Sequence, residues 1–128
     1  MNTYLNQSQK LFQLSKKEVR KAKQTNDDEL ARDASGKAWI ATVDALCGFL
    51  LSCGMKEEEL PKSERRRYDL LAQYGNKKMW QLYGRIRGVI HQDAYYEGLI
   101  NYSFLFDAFN DVKKFIHRCE NGGKSFDK

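Results

Sequence analysis

The 128-residue chain contains a single proline, three cysteines and two histidines. With so little proline, almost nothing in it breaks a helix from within. Three cysteines cannot all pair in one chain. Cys47, Cys53 and Cys119 also show no metal-ligand spacing, which argues against a disulfide scaffold or a zinc module. Unpaired cysteines suit a reducing compartment, so a cytoplasmic location is expected. No unbroken apolar run approaches the ~18–20 residues that span a bilayer. The start, MNTYLNQSQKLF, lacks the charged, apolar and small-residue succession of a secretory signal. No membrane partner is expected.

Chemical signatures are also scarce. The sequence has no GxxxxGKS or GxxxxGKT, no GxGxxG, no HExxH and no CxxC. Phosphate-loop, dinucleotide and common zinc chemistries therefore have no support. Neither His91 nor His117 has a glutamate three residues earlier, as a di-iron helical bundle would require. Ser52-Cys53-Gly54 has no histidine nearby to activate a nucleophile. No metal and no cofactor are expected.

What is present is charge and helical periodicity. Charged residues make up 30% of the chain and apolar residues 41%, with a net charge of +5. That balance fits one globular domain. The cations are clustered. Residues 10–23 hold six basic side chains against Glu18 alone, and residues 61–91 hold eight against Glu64 and Asp69. Such clusters either line solvated helix faces or form a phosphate-attracting surface.

In residues 2–24, Leu5, Ser8, Phe12, Ser15, Val19 and Ala22 recur at alternating spacings of three and four, one face of a helix. Asn26, with Glu29 three residues on, reads as the N-cap of a second helix running to about Cys53. Its seam is a row of small residues, Ala31, Ala34, Ala38, Ala41, Ala45, Gly48 and Ser52, which lets another helix approach closely. Gly54 suits its C-terminus. After the only proline, Ser63 caps a helix over residues 63–73. Tyr74-Gly75-Asn76 interrupts it, and Asn76 recaps a continuation to about His91. Residues 92–94 turn the chain, and a last helix is expected over 95–119. It carries one stripe of Leu99, Tyr102, Phe106, Phe109, Val112 and Ile116, and a second of Leu105, Ala108, Phe115 and Cys119. Trp39 and Trp80 read as core or interface anchors. The expectation is an all-α antiparallel up-down four-helix bundle, its third helix interrupted near Gly75, in one domain over residues 1–120 with a loose tail at 121–128.

One stretch stands apart, Arg85-Ile86-Arg87-Gly88-Val89-Ile90-His91-Gln92-Asp93-Ala94-Tyr95-Tyr96. With the alanine-rich second helix, the basic interrupted third segment and a Tyr95-Tyr96-Glu97-Gly98 helix start, the chain resembles the HEPN superfamily over roughly residues 5–118. The likeness is greatest to an uncharacterised subgroup of small single-domain bacterial proteins. The resemblance implies a bundle that commonly dimerises. It also implies, in active members, a metal-independent RNase in which an arginine and a histidine, separated by four to six residues, meet their copies across the dimer. Arg85 and His91 have that spacing. Ile86 stands where active members carry a polar residue, and Gln92-Asp93 follow the histidine. The reading therefore favours a non-catalytic binding module for nucleotide or RNA, with a toxin-like RNase using Arg85 and His91 as the alternative. His91 would move the proton of a ribose hydroxyl, and Arg85 would hold the phosphate. Arg87, Asp93, Tyr95 and Tyr96 complete the candidate ligand-binding set. A homodimer and a separate nucleotidyltransferase are the protein partners that the resemblance suggests.

Overall fold

The computed structural model describes residues 2–123, and among them it contains helices and no strand. The protein is all-α. Its helices are α1 (Thr3–Thr25), α2 (Asp28–Ser52), α3 (Glu64–Tyr74), α4 (Lys77–Ile86) and α5 (Tyr102–Glu120). A single 3-10 turn at Glu57–Glu59 precedes α3, and a π-helical segment, Arg87–Tyr96, continues α4.

The helix ends follow local chemistry, with side-chain oxygens accepting from otherwise free amides. Asn2 caps α1 by accepting from the Leu5 amide, Ser63 caps α3 at Arg66, Asn76 caps α4 at Met79, and Asn101 caps α5 at Phe104. The α1–α2 connection departs from expectation by one residue. Asp27, not Asn26, caps α2, accepting from the Leu30 amide. Asn26 instead ends α1 in the left-handed conformation at φ 53°, a role asparagine tolerates. Gly54 (φ 101°) closes α2. The Met55 amide donates to the Leu50 carbonyl and the Gly54 amide to the Leu51 carbonyl. These are the paired bonds that terminate a helix on a left-handed glycine.

α1 and α2 form an antiparallel pair. Asn2 Nδ2 donates to the Gly48 carbonyl, Ser8 Oγ to the Ala41 carbonyl, and Lys37 pairs with Glu18. The alanine row is what allows this approach. Ala31, Ala34, Ala38, Ala41 and Ala45 are fully buried, Gly48 is buried, and only Ser52, at the end of the row, is exposed. Among the described residues, α2 alone is long and apolar enough to cross a membrane. In this fold most of its apolar side chains are buried against the neighbouring helices, while Ile40 stays 53% exposed. α5 runs antiparallel to α4, with Arg85 reaching Asp111, and Asn76 donating to the Gly123 carbonyl. The π-helical segment lies antiparallel along α2, where Arg32 meets Tyr95 and Trp39 meets His91.

Gly48 gives this packing a test. A Cβ added there would sit 2.6 Å from Leu5 Cγ and 2.9 Å from Asn2 Oδ1, both fixed in the α1 contact. Alanine raises helix propensity by about 1 kcal/mol, yet this overlap outweighs it. Gly48→Ala is expected to destabilise by about 1–2 kcal/mol. Gly88 has nothing within 4 Å of such a Cβ. Gly88→Ala is therefore expected to stabilise by about 0.5–1 kcal/mol. Urea unfolding of the two variants checks the opposite signs.

The last helix begins later than its periodicity suggested. The chain does not turn at 92–94, because the π-helical winding carries it to Tyr96. Gly98, at φ 68°, then reverses it, with the Leu99 amide on the Asp93 carbonyl. Tyr95-Tyr96-Glu97-Gly98 is thus a helix end and not a helix start. Leu99 falls outside α5 and is exposed. The rest of the two stripes is buried or half-buried as expected. Trp39 is buried, whereas Trp80 is 44% exposed against Tyr68. Of the expected tail, Gly123 is buried at the start of α4, whereas Asn121 caps α5 and Gly122 is exposed. Residues 124–128 lie outside the described residues.

Candidate functional site

The two arginines of the singled-out stretch go to different neighbours. Two residues are about 200° apart on an α-helix, and here that angle decides their partners. Arg85 donates from Nε and Nη2 to Asp111 on α5 at 3.2 and 3.3 Å. Arg87 faces α3, its Nε 2.7 Å from Glu64 Oε2.

Past Ile86 the winding widens. Hydrogen bonds in a π-helix close five residues apart, so side chains four and five apart share a face. The Glu97 amide bonds the Gln92 carbonyl in this way. Ile86, Ile90 and Ala94, each four apart, therefore all stay buried. On another face Arg87, His91, Gln92 and Tyr96 are brought together. They line, with Asp93 and Glu97, a groove of about 540 Å³. Arg32 on α2 holds the end of this segment, donating from Nε to the Tyr95 carbonyl at 2.6 Å and from Nη2 to the Tyr96 carbonyl at 2.9 Å.

His91 sits between that groove and a second one, of about 370 Å³, on the α2 side. Trp39, Gly36, Ile40 and Tyr95 supply its apolar lining, with Asp33 and Lys37 also on its wall. The imidazole stacks on Trp39 at 4.6 Å and 15°. Tyr95 lies nearly parallel at 6.3 Å, and Tyr96 stands edge-on at 5.2 Å. Gly36 makes room for the Tyr95 ring, since a Cβ there would lie 2.8 Å from it. Tyr95 and Tyr96 remain 42% and 66% exposed. Their faces are available to a second planar group.

Behind His91 lies a partly buried charge cluster. Glu64 accepts from Arg67 and, at 2.8 Å, from the Tyr83 hydroxyl, and pairs with Arg87. Two guanidiniums share one carboxylate, leaving one positive charge in excess. Glu64 Oε2, Arg67 Nε, Arg87 Nε and His91 Nδ1 are buried without an aligned hydrogen bond. Burial, and secondarily Glu64, push the Tyr83 hydroxyl well above its usual range. Burial also lowers the His91 pKa. Arg87 and Arg67 act in the same direction, and Glu64 opposes them.

That lowering sets a pH dependence. Between the folded pKa and the unfolded value of about 6.5, the unfolded chain binds more protons at this position. Stability should therefore fall as pH drops through about 6.5 and level off below the folded value. Melting temperatures of the wild type and His91→Gln, compared from about pH 7.5 to about pH 5, check it. The variant should lose this part of the slope.

His91 thus lies within the π-helical segment, while Arg85 is engaged elsewhere, by Asp111. The structure brings together His91, Arg87, Asp93, Tyr95 and Tyr96 of the candidate set and turns Arg85 away. Sequence reasoning missed Glu64, Arg67 and Tyr83 as members of the site and read Trp39 only as an anchor. Glu64 and Arg67 pair at i, i+3 on the first turn of α3, and that spacing was the one local signal. Cys47 and Cys119 are buried with their thiols pushed up, Cys47 to about 11. Neither therefore offers a thiolate nucleophile. Among the described residues no three His, Cys, Asp or Glu side chains gather as a metal site would need. Compared with known proteins, the chain matches no family model, no curated protein and no solved structure.

Proposed function

We propose that the protein is a HEPN-like up-down four-helix bundle, cytoplasmic and homodimeric, that binds a nucleotide or single-stranded RNA at His91 without cleaving it. The observation that carries this reading is the layering of Trp39, His91 and Tyr95 beside Arg87, between two grooves. Both grooves have the size of ordinary small-molecule sites. A base would stack on Tyr95 or Tyr96. Asp93 and Glu97, as acceptors, suit ribose hydroxyls, and the cationic excess at Arg67 and Arg87 suits a phosphate. Binding is favoured over catalysis because Arg85 is engaged by Asp111 on a different face from His91. The homodimer is supported by Leu99 and Phe104, exposed at 64% and 65% along an apolar groove that both line. Exposed apolar surface of this kind marks interaction sites.

Fluorescence anisotropy with a labelled single-stranded oligoribonucleotide tests the reading. The wild type should bind and leave the RNA intact. Tyr96→Ala, at an exposed position, should weaken binding by about 1–3 kcal/mol. Absence of binding by the wild type would overturn the proposal. RNA cleavage lost in both Arg85→Ala and His91→Ala would replace it with the RNase reading.

A further inference from the structure

Away from His91, and sharing no lining residue with its two grooves, α1 and α5 enclose a cleft of about 190 Å³. Phe12, Val19, Phe106 and Phe109 form its floor, and Lys16, Arg20 and Lys113 its rim. Lys16 Nζ lies 5.5 Å from the Phe12 ring centre, and Lys23 Nζ lies 5.4 Å from that of Phe106. The cations thus lean over the aromatic floor. Among the described residues, none of these four cations is in an ion pair; the pairs are Lys37–Glu18, Arg67–Glu64, Arg85–Asp111 and Arg87–Glu64. Lys16 is held below the usual lysine range by burial first and then by Arg20 and Lys113, with no acidic side chain opposing them. Three cations converge on an apolar pocket and repel one another, an arrangement that a bound anion would relieve.

The size of the cleft selects among anionic ligands. It is smaller than ordinary small-molecule sites, which begin at roughly 300 Å³, and it has room for about one large side chain. We infer that the α1–α5 cleft docks an acidic peptide segment of a partner protein, with one aromatic side chain between the two helices and flanking carboxylates on Lys16, Arg20 and Lys113. An apolar anchor inside a charged rim is the usual build of a groove that reads a short peptide. This inference goes beyond the His91 site and does not depend on it.

A fluorescein-labelled heptapeptide of alternating glutamate and aspartate with a central phenylalanine serves as the probe, titrated against the full chain in low-salt buffer. Saturable one-to-one binding is expected. Replacing the central phenylalanine with alanine should weaken it at least tenfold, equivalent to about 1.4 kcal/mol. The double variant Lys16→Glu, Arg20→Glu, on the rim of the cleft, should keep the helical circular dichroism of the wild type and also lose at least tenfold. His91→Gln should leave binding within twofold. No binding, or equal binding of the alanine peptide, overturns the inference. So does an unlabelled single-stranded RNA that displaces the peptide and itself fails to bind the double variant, since the cleft would then belong to nucleic acid.

Discussion

Trp39→Ala should lower stability by about 3–5 kcal/mol, which for a chain of this size is roughly 10–20 °C in Tm. Trp39 is 8% exposed and touches two rings at once, Tyr83 at 5.4 Å and His91 at 4.6 Å. Tyr83 in turn meets Phe115 at 5.8 Å and Tyr68 edge-on at 5.1 Å, so the indole begins an aromatic path from α2 through α4 to α5. Deleting it opens a void at the head of that path and removes the surface on which His91 rests. Trp80→Ala is the control. That ring is half in solvent against Tyr68. Its removal should cost about 1 kcal/mol or less. Thermal and urea unfolding of both variants decide the matter, and equal losses would contradict the packing described here. Trp39→Phe should recover most of the stability by keeping an aromatic ring against His91.

Glu64→Ala is expected to cost about 2–3 kcal/mol, less than the roughly 3–5 kcal/mol of breaking a fully buried ion pair. The cost is lower here because Arg67 and Arg87 keep side-chain exposures of 20% and 33%. The variant leaves two guanidiniums facing each other and the Tyr83 hydroxyl without its acceptor, and an unpaired buried donor is itself destabilising. Glu64→Gln, which retains an acceptor for Tyr83, should lose about half as much. Adding Arg87→Met to Glu64→Ala should return part of the loss, because the remaining repulsion disappears with that cation. Denaturant unfolding of the wild type, Glu64→Ala, Arg87→Met and their double variant closes the cycle, with Glu64→Gln measured beside them. A Glu64→Ala variant within about 0.5 kcal/mol of the wild type would mean the cluster contributes nothing measurable.

The helical character was legible because amphipathic spacing records directly which face of a helix is buried. The stripe from Leu5 to Ala22 and the row from Ala31 to Gly48 came through as read. Caps at Ser63 and Asn76 were equally readable, since a side-chain oxygen three residues before a free amide is a local arrangement. The shift from Asn26 to Asp27 was beyond reach, because both residues can cap a helix and only the path of the chain between α1 and α2 separates them.

The region around His91 was less legible. Its burial pattern of Ile86, Ile90 and Ala94, four residues apart, is too short to separate a wide helix from an ordinary one. Reading it as α-helical placed the turn too early and made Tyr95 and Tyr96 the start of α5. The two carbonyls that Arg32 grips belong to a residue pair more than sixty positions away in sequence, a contact that no local pattern encodes.

By itself, the order of residues determined that this chain is helical, where most of its helices begin and end, and that α2 must meet close neighbours along its alanines. These properties depend on interactions within a few residues of one another. Only the tertiary structure decided that Arg85 turns to Asp111 while Arg87 turns to Glu64, that Trp39 supports His91, and that a π-helical winding puts Arg87 and Tyr96 on one groove. Each of those outcomes depends on which distant helix lies opposite, and the packing of the whole chain sets that.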